Sequence, residues 1–434
     1  MITSMDKDIL RLAIPSIVSN VTVPLLGLVD LTIVGHMGNA ACIGAIAVGS
    51  MIFNVIYWLF GFLRMGTSGM TSQAYGQDDQ VSLQRLLVRS MGVALAIGLL
   101  FVIFQVPIRA LALWTMKPSV EVAPFVITYF NICIWGAPAI FALNSLNGWF
   151  IGMQNTRIPM VVSILQNIVN IMASCFFVFV LGMQIEGVAL GTLVAQWSGV
   201  FLSVYMKGKV YSGRYSLTVF PDGTFDRAEM GRFFKVNRDI FFRTFFLVAV
   251  NLFFTAAGSR QGTLIVSVNA MLLTFYTLFS YVMDGFAYAG EALSGKYFGA
   301  HDREGFHQVC RRLAVWGAVM VVVFTIAYGC GGQSFLYLLT SHASVITGAK
   351  PYMTWTLLIP VAGVAAFLYD GIFIGVTATR GMLWSSAIAA VIFFFLFFLL
   401  EGTLHNHALW IALLVYMATR GIVQYFWFRL RLAF

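Results

Sequence analysis

Twelve stretches of predominantly apolar residues, each long enough to cross a bilayer, decide what this chain can fold into. They lie at approximately 10–34, 42–73, 83–107, 122–146, 161–181, 186–206, 239–257, 263–296, 308–332, 351–376, 382–401 and 406–428. A spanning helix needs about 20 such residues. A membrane barrel strand would instead alternate apolar and polar side chains over about 10 residues. The run from Val391 to Leu400, VIFFFLFFLL, does not alternate, and helices are then the only way to satisfy the backbone in lipid. Composition agrees: 10% of the 434 residues are charged and 60% are hydrophobic, where soluble proteins carry about 25% charged residues. A water-soluble domain has too few buried positions for so much apolar surface. Soluble enzymes, disordered chains and nucleic-acid-binding modules are excluded on this ground. The expected fold is an all-α polytopic membrane protein.

The 26 Lys and Arg residues set the orientation. With a cytoplasmic N-terminus, 22 of them fall on the cytoplasmic loops, termini and adjoining helix ends, and only Arg109, Lys117, Arg260 and Lys350 face the other side. Basic residues favour the cytoplasmic side, so both termini are expected there, in the cell inner (plasma) membrane. The net charge of +9 is this bias and not a nucleic-acid footprint. The N-terminal segment mixes Asp6, Lys7 and Asp8 and has no small-residue cleavage site, so it does not read as a cleaved signal. Cys42, Cys133, Cys175, Cys310 and Cys330 show no metal or redox spacing and read as small buried hydrophobes.

The longest polar break, about 207–238, separates two halves that match at a constant offset of 223. The block from Gly148 to Arg157, with Phe150, Ile151, Gly152 and Thr156, recurs from Gly371 to Arg380. Gly76 maps to Gly299, Asp79 to Asp302 and Arg89 to Arg312. Each half has six helices, an even number, so both enter the membrane the same way. The repeat is therefore parallel, about an axis along the membrane normal. The expected organisation is a six-helix lobe over 1–206, a cytoplasmic connection over 207–238 and a second six-helix lobe over 239–434. Two lobes about a central cleft are the plan of a rocking carrier.

Ionisable groups inside spans are costly and need a reason. Asp30 lies in the first stretch, in its outer half, with no Lys or Arg within a helical turn. A carboxyl group in a partly desolvated cavity favours its protonated form and is suited to exchange protons; capping a helix or bonding a neighbouring amide is the alternative role. Asn167, Asn170 and Ser174 follow one helical face of the fifth stretch and either line a polar pocket or serve as packing glue. The second half carries Asp284 and Glu291, seven residues apart on one face, and Asp370 after Tyr369; the offset matches Asp284 to Gly61 and Asp370 to Asn147. The lobes are not chemically equivalent. Arg64 is the one base well inside a span and either snorkels to the interface or pairs with an acid. Pro15 and Pro24 interrupt the first stretch and are expected to bend it. The Met and aromatic residues suit lipid contact or packing, and any that face a cavity would suit flat or cationic molecules. No P-loop and no His/Cys cluster is present, so neither ATP hydrolysis nor a metal site is expected. The chain reads as no enzyme and as needing no cofactor.

These residues resemble a known family. The six-plus-six spans, Pro15, the segment Val29 to Gly38, Gln73 to Gly76 with Asp78 and Asp79, and the repeated Gly-x-Phe-Ile-Gly block are similar to the multidrug and toxic compound extrusion (MATE) transporters. Val282 to Ala287, Gly290 to Ala292 and Tyr369 to Gly375 resemble the DinF-like branch. The resemblance implies two six-helix bundles and secondary active export of amphipathic or cationic small molecules in exchange for H+, or Na+, by rocking of the lobes. It implies ion coupling at Asp30 with Asn170 beside it, and it leaves Asp284 and Asp370 as coupling candidates in the second lobe. Asn167, Ser174, Tyr369 and Glu291 are the cavity candidates. Ser174 stands where the family carries a second acid, which speaks against a two-acid relay there for either proton or sodium. The helix-seven Glu of the NorM-like branch is absent from Phe241 to Phe254, which speaks against that branch's sodium site, and H+ is expected ahead of Na+. The alternative is a flippase of a lipid-linked precursor from the wider superfamily. A non-transporting scaffold explains the acids less well. The expected partners are a small-molecule substrate and the bilayer, and the expected state is a monomer.

Overall fold

The computed structural model describes residues 3–35 and 40–431, with side chains for all of these except 23–31 and 40. Residues 36–39, which include most of the polar break at 35–38, lie outside the described residues. The long helices are α1 Ser4–Gly35 and, in order, α2 Ala41–Gly76, α3 Gln80–Ile103, α4 Ala123–Gly152, α5 Arg157–Val180, α6 Ile185–Val210, α7 Arg227–Arg260, α8 Thr263–Gly299, α9 Arg303–Leu339, α10 Ala343–Gly375, α11 Thr379–Leu404 and α12 Asn406–Arg431. Each contains or overlaps one apolar stretch of the sequence, although α7 begins twelve residues and α10 eight residues before theirs. The protein is an all-helical, twelve-span membrane protein, and no strand occurs among the described residues.

The helices are not uniform rods. α2 is broken between Leu59 and Phe62, and α4 passes through a 3₁₀ turn at Ile134–Gly136, just before Pro138. Helix α1 runs through Pro15 and Pro24 without a break in its helical assignment, so neither proline ends the helix. An additional helix, Gln105–Met116, follows α3. Its sequence mixes Gln105 and Arg109 with exposed Leu111 and Trp114, and it is too short to span. The connection is shorter than the polar break, because α6 continues to Val210 and α7 begins at Arg227.

The duplication repeats at atomic detail. Asp79 caps α3 by accepting from the Ser82 backbone N–H at 3.0 Å, and Asp302 caps α9 by accepting from Gly305 N–H at 2.9 Å. The turns ahead of them hold Asp78 at φ 53° and His301 at φ 56°. A Cβ on Gly148 would collide with the Arg64 carbonyl, and one on Gly371 with the Ala287 carbonyl. Gly152 and Gly375 sit equally close to Thr71 and Ser294. All of these pairs are 223 apart. The repeated Gly-x-x-x-Gly thus lets α4 approach α2, and α10 approach α8, backbone to backbone, as small-residue helix pairs in membranes do.

The chain forms two compact units, Met1–Ile17 with Lys235–Phe434, and Val18–Phe234. The Val18–Phe234 unit has an aromatic core in which Phe53, Phe130, Phe141, Trp149 and Phe150 are buried. Trp149 also donates to the Leu83 carbonyl at 3.0 Å and stacks edge-on with Tyr211 and Tyr215 at 5.2 and 5.1 Å. In the other unit Asn269 and Asn406 exchange amide hydrogen bonds of 2.7 and 2.9 Å, and Trp410 donates to Asn269 at 3.0 Å. The start of α1 belongs there: Asp6 lies 3.7 Å from Arg312 and accepts from the Trp316 indole at 3.1 Å. Large apolar side chains such as Phe395, Phe398 and Leu399 stay exposed, as lipid-facing surfaces require. Cys42 and Cys133 are buried, but Cys330 is exposed.

Candidate functional site

In the Val18–Phe234 unit, α5 carries the polar stripe. Asn167 donates its amide to the Thr22 carbonyl of α1 at 3.1 Å, and Thr22 Oγ1 meets Ser163 at 3.2 Å. Three residues on, Asn170 donates to Thr192 of α6 at 3.2 Å. Asn170 and Ser174 are fully buried. Among the described residues, neither Asn170 Oδ1 nor Ser174 Oγ has a hydrogen-bond partner. Buried polar atoms are nearly always paired, so these two atoms call for a partner that the neighbouring described side chains do not supply. The side chain of Asp30 lies outside the described residues, but its place on the helix does not. Helices α1 and α5 are odd-numbered spans and cross in the same direction. Eight residues beyond the Thr22–Asn167 contact, a rise of about 12 Å on each helix, bring residue 30 level with Cys175, next to Ser174.

The other unit treats its acids differently. Asp370 is buried and accepts from Arg420 Nη2 at 2.6 Å, from Gln424 Nε2 at 2.6 Å and from Arg243 Nη2. Both carboxylate oxygens are therefore engaged, Oδ2 by the two guanidiniums and Oδ1 by the Gln424 amide, and a cation could enter only by displacing one of these donors. Asp284 accepts from Ser280 at 3.3 Å. Tyr276 lies within electrostatic reach of Asp284, Arg243 and Arg420, so half-buried Asp284 shares a neighbour with the two arginines that hold Asp370. Glu291 is fully buried on α8, where its backbone lies against Gly375. Tyr369 points elsewhere: it packs on Tyr425 and Phe428 and lines an apolar groove between α9, α10 and α12.

The structure thus brings Asn167, Asn170 and Ser174 onto one side of α5 and joins Asp370 to Asp284 through shared neighbours. It separates Tyr369 from Asp370. The sequence reading counted Arg243 and Arg420 only as charges near the inner edge; both are buried, so Arg64 is not the one base inside the spans. It also passed over Asp239, which is buried and accepts from Thr379 at 3.3 Å and from Arg238 Nη2 at 3.0 Å.

A duplicated twelve-helix membrane protein with a buried, partly unsatisfied polar stripe in one unit and a charge-sealed cluster in the other belongs to the class of membrane transporters rather than enzymes. More particularly, the MatE family model matches residues 15–176 and 240–399, and the chain belongs to that family. It is 37% identical over 426 residues, 97% of this chain and 91% of the other, to DNA damage-inducible protein F of Escherichia coli K12. It is 24% identical over 275 residues to a probable multidrug resistance protein NorM of Shewanella oneidensis, covering 62% of this chain and 59% of that one. A crystal structure of MATE in the bent conformation superposes with a TM-score of 0.89 at 19% identity, covering 99% of this chain and 96% of that one. A transporter of the MOP superfamily from Pyrococcus furiosus, described as having a binding pocket of reversed polarity, gives a TM-score of 0.87 at 19% identity over 100% of this chain and 97% of that one.

Proposed function

We propose that the protein is an H+-coupled antiporter that exports amphipathic or cationic small molecules across the inner membrane, with both termini cytoplasmic. The observation that carries this reading is the contrast between the two units. In one, Asn170 and Ser174 present buried, unpartnered polar atoms at the level where α1 bears Asp30. In the other, Asp370 is closed off by Arg243, Arg420 and Gln424. Proton exchange accordingly resides on Asp30, and the Asp284–Asp370 cluster holds its lobe together. Export by rocking of two lobes fits the duplicated plan. The chain acts as a monomer.

The test is purified protein in liposomes with H+ and Na+ gradients imposed separately. Substrate efflux should follow the H+ gradient and vanish in Asp30→Asn, while that variant still folds and binds substrate at high pH. Unchanged efflux in Asp30→Asn removes the residue from coupling. Gradient-independent movement of lipid would replace the antiporter by a flippase.

A further inference from the structure

The Val18–Phe234 unit contains a second polar feature, unrelated to the α5 stripe. A cavity of about 160 Å³ lies where α2, α3 and the start of α7 meet, lined by Gln73, Gln77, Arg85, Arg89, Glu229 and Arg232 among others. Its volume is several times what one water needs. Arg89 is 1% exposed. It donates through Nε to the Thr224 carbonyl at 2.8 Å and through Nη1 to Glu229 at 3.2 Å. Its Nη2 and the Nε of Arg85 are buried without a hydrogen-bond partner among the described residues. Arg85, Arg89 and Arg232 thus line the cavity against one lining carboxylate, with Asp226 within electrostatic reach of Arg89 and Asp79 of Arg85. A guanidinium offers five donors and no acceptor, and a buried charged donor left unpaired is expensive.

The duplication isolates what is special here. At the offset of 223, Arg89 and Glu229 correspond to Arg312 and Asp6, which pair in the other unit. There the acid also accepts from Trp316 and from the backbone and hydroxyl of Thr3. The Arg–acid pair is inherited by both copies. Arg85 and Arg232 are not, because their counterparts are Gln308 and Ile9. Two cations thus line this cavity of the Val18–Phe234 unit at positions where the other unit has none.

We propose that this cavity binds a phosphate group, monoester or diester, through Arg85, Arg89 and Arg232. Planar guanidinium forks match tetrahedral oxyanions and make charge-assisted hydrogen bonds. Arg89 is already held by Thr224 and Glu229, so its free Nη2 is preorganised. Glu229 and Arg232 lie in the first turns of α7, so a bound phosphate ties the start of that helix to α3. The group reaches the cavity either as the headgroup of a membrane phospholipid or as a soluble phosphate.

The experiment uses the full-length protein in uncharged detergent. Thermal unfolding is followed against inorganic phosphate, and separately against dihexanoyl phosphatidic acid with dihexanoylglycerol, which lacks the phosphate, as control. Phosphate also stabilises proteins by exclusion from their surface, so the readout is the difference between wild type and two variants. Arg85→Gln installs the residue of the other copy, and Arg232→Gln removes the second extra cation; neither touches the inherited pair. Each should weaken the apparent affinity about tenfold or more, the loss of one charge-assisted contact. A variant-sensitive response to inorganic phosphate identifies a soluble ligand, and one to phosphatidic acid alone identifies a headgroup; both support the site. Equal responses in wild type and both variants, or no response of wild type to either probe, overturn it.

Discussion

Asp370 shows how far a single residue can be read from sequence. An acid inside an apolar span announces itself, and so did Asp30, Asp284 and Glu291. Its partners do not. Arg243 and Arg420 lie far enough toward the basic ends of α7 and α12 that one sequence cannot distinguish a snorkelling cation from one turned inward; only the packing of α10 between them decides. Gln424 carries no signal, because an amide near a helix end is ordinary. The geometry sets an expectation for Asp370→Asn. Removing one partner of a buried ionic cluster costs about 3–5 kcal/mol, because the remaining charges stay buried without compensation. Two guanidiniums are left unneutralised here, so the variant should melt well below wild type in detergent. Whatever protein survives should keep its ion dependence of transport. A variant that melts like wild type but loses ion dependence would instead make Asp370 a coupling residue.

At the scale of helices and their ends, the repeat made much of the packing legible. The matched Gly-x-x-x-Gly blocks and the matched Asp79 and Asp302 were visible as letters, and each pair proves to do one physical job twice. Gly371→Ala pushes a methyl group into the Ala287 carbonyl. Overpacking of this kind costs about 1–3 kcal/mol, whereas Gly402→Ala, with open space around it, should leave the melting temperature unchanged. Equal melting of the two variants would show that the α8–α10 contact yields. Asp79 supplies a pH-dependent case. Hydrogen bonds from Ser82, first its side chain and then its backbone, hold the Asp79 carboxyl below its usual range. A carboxyl lowered by folding stabilises the fold above its unfolded value, about 3.9, and loses that contribution as pH falls through the lower folded value. Asp79→Ala should therefore cost about 1 kcal/mol at neutral pH, and the gap to wild type should close below about pH 4. Melting curves of both proteins across that range check it. The Gln105–Met116 helix, by contrast, was not legible, because twelve residues of mixed polarity give no spanning signal.

For the whole molecule, the number of spans and their division into six and six followed from hydropathy and the repeat. What hydropathy does not encode is where a helix changes company. The boundary between compact units falls after Ile17 and again after Phe234, within α1 and α7, which occupy equivalent places in the two copies. The contacts responsible are long-range: Asp6 with Arg312 and Trp316, and Glu229 with Arg89. No local pattern specifies such pairings. Orientation is the remaining whole-molecule property, and it rests on charge alone. Counted along the sequence, 22 of the 26 basic residues belong to the loops, termini and adjoining helix ends of one side and four to those of the other; since basic loops resist translocation, the 211–226 connection should stay in the cytoplasm. Even-numbered loops then share its side and odd-numbered loops oppose it. Ser119, after α3, and Asp222, in the connection, are both exposed and therefore report opposite sides. With the five native cysteines replaced, Ser119→Cys should react with a membrane-impermeant maleimide on intact cells. Asp222→Cys should react only after the membrane is opened. Labelling in the opposite order would invert the molecule.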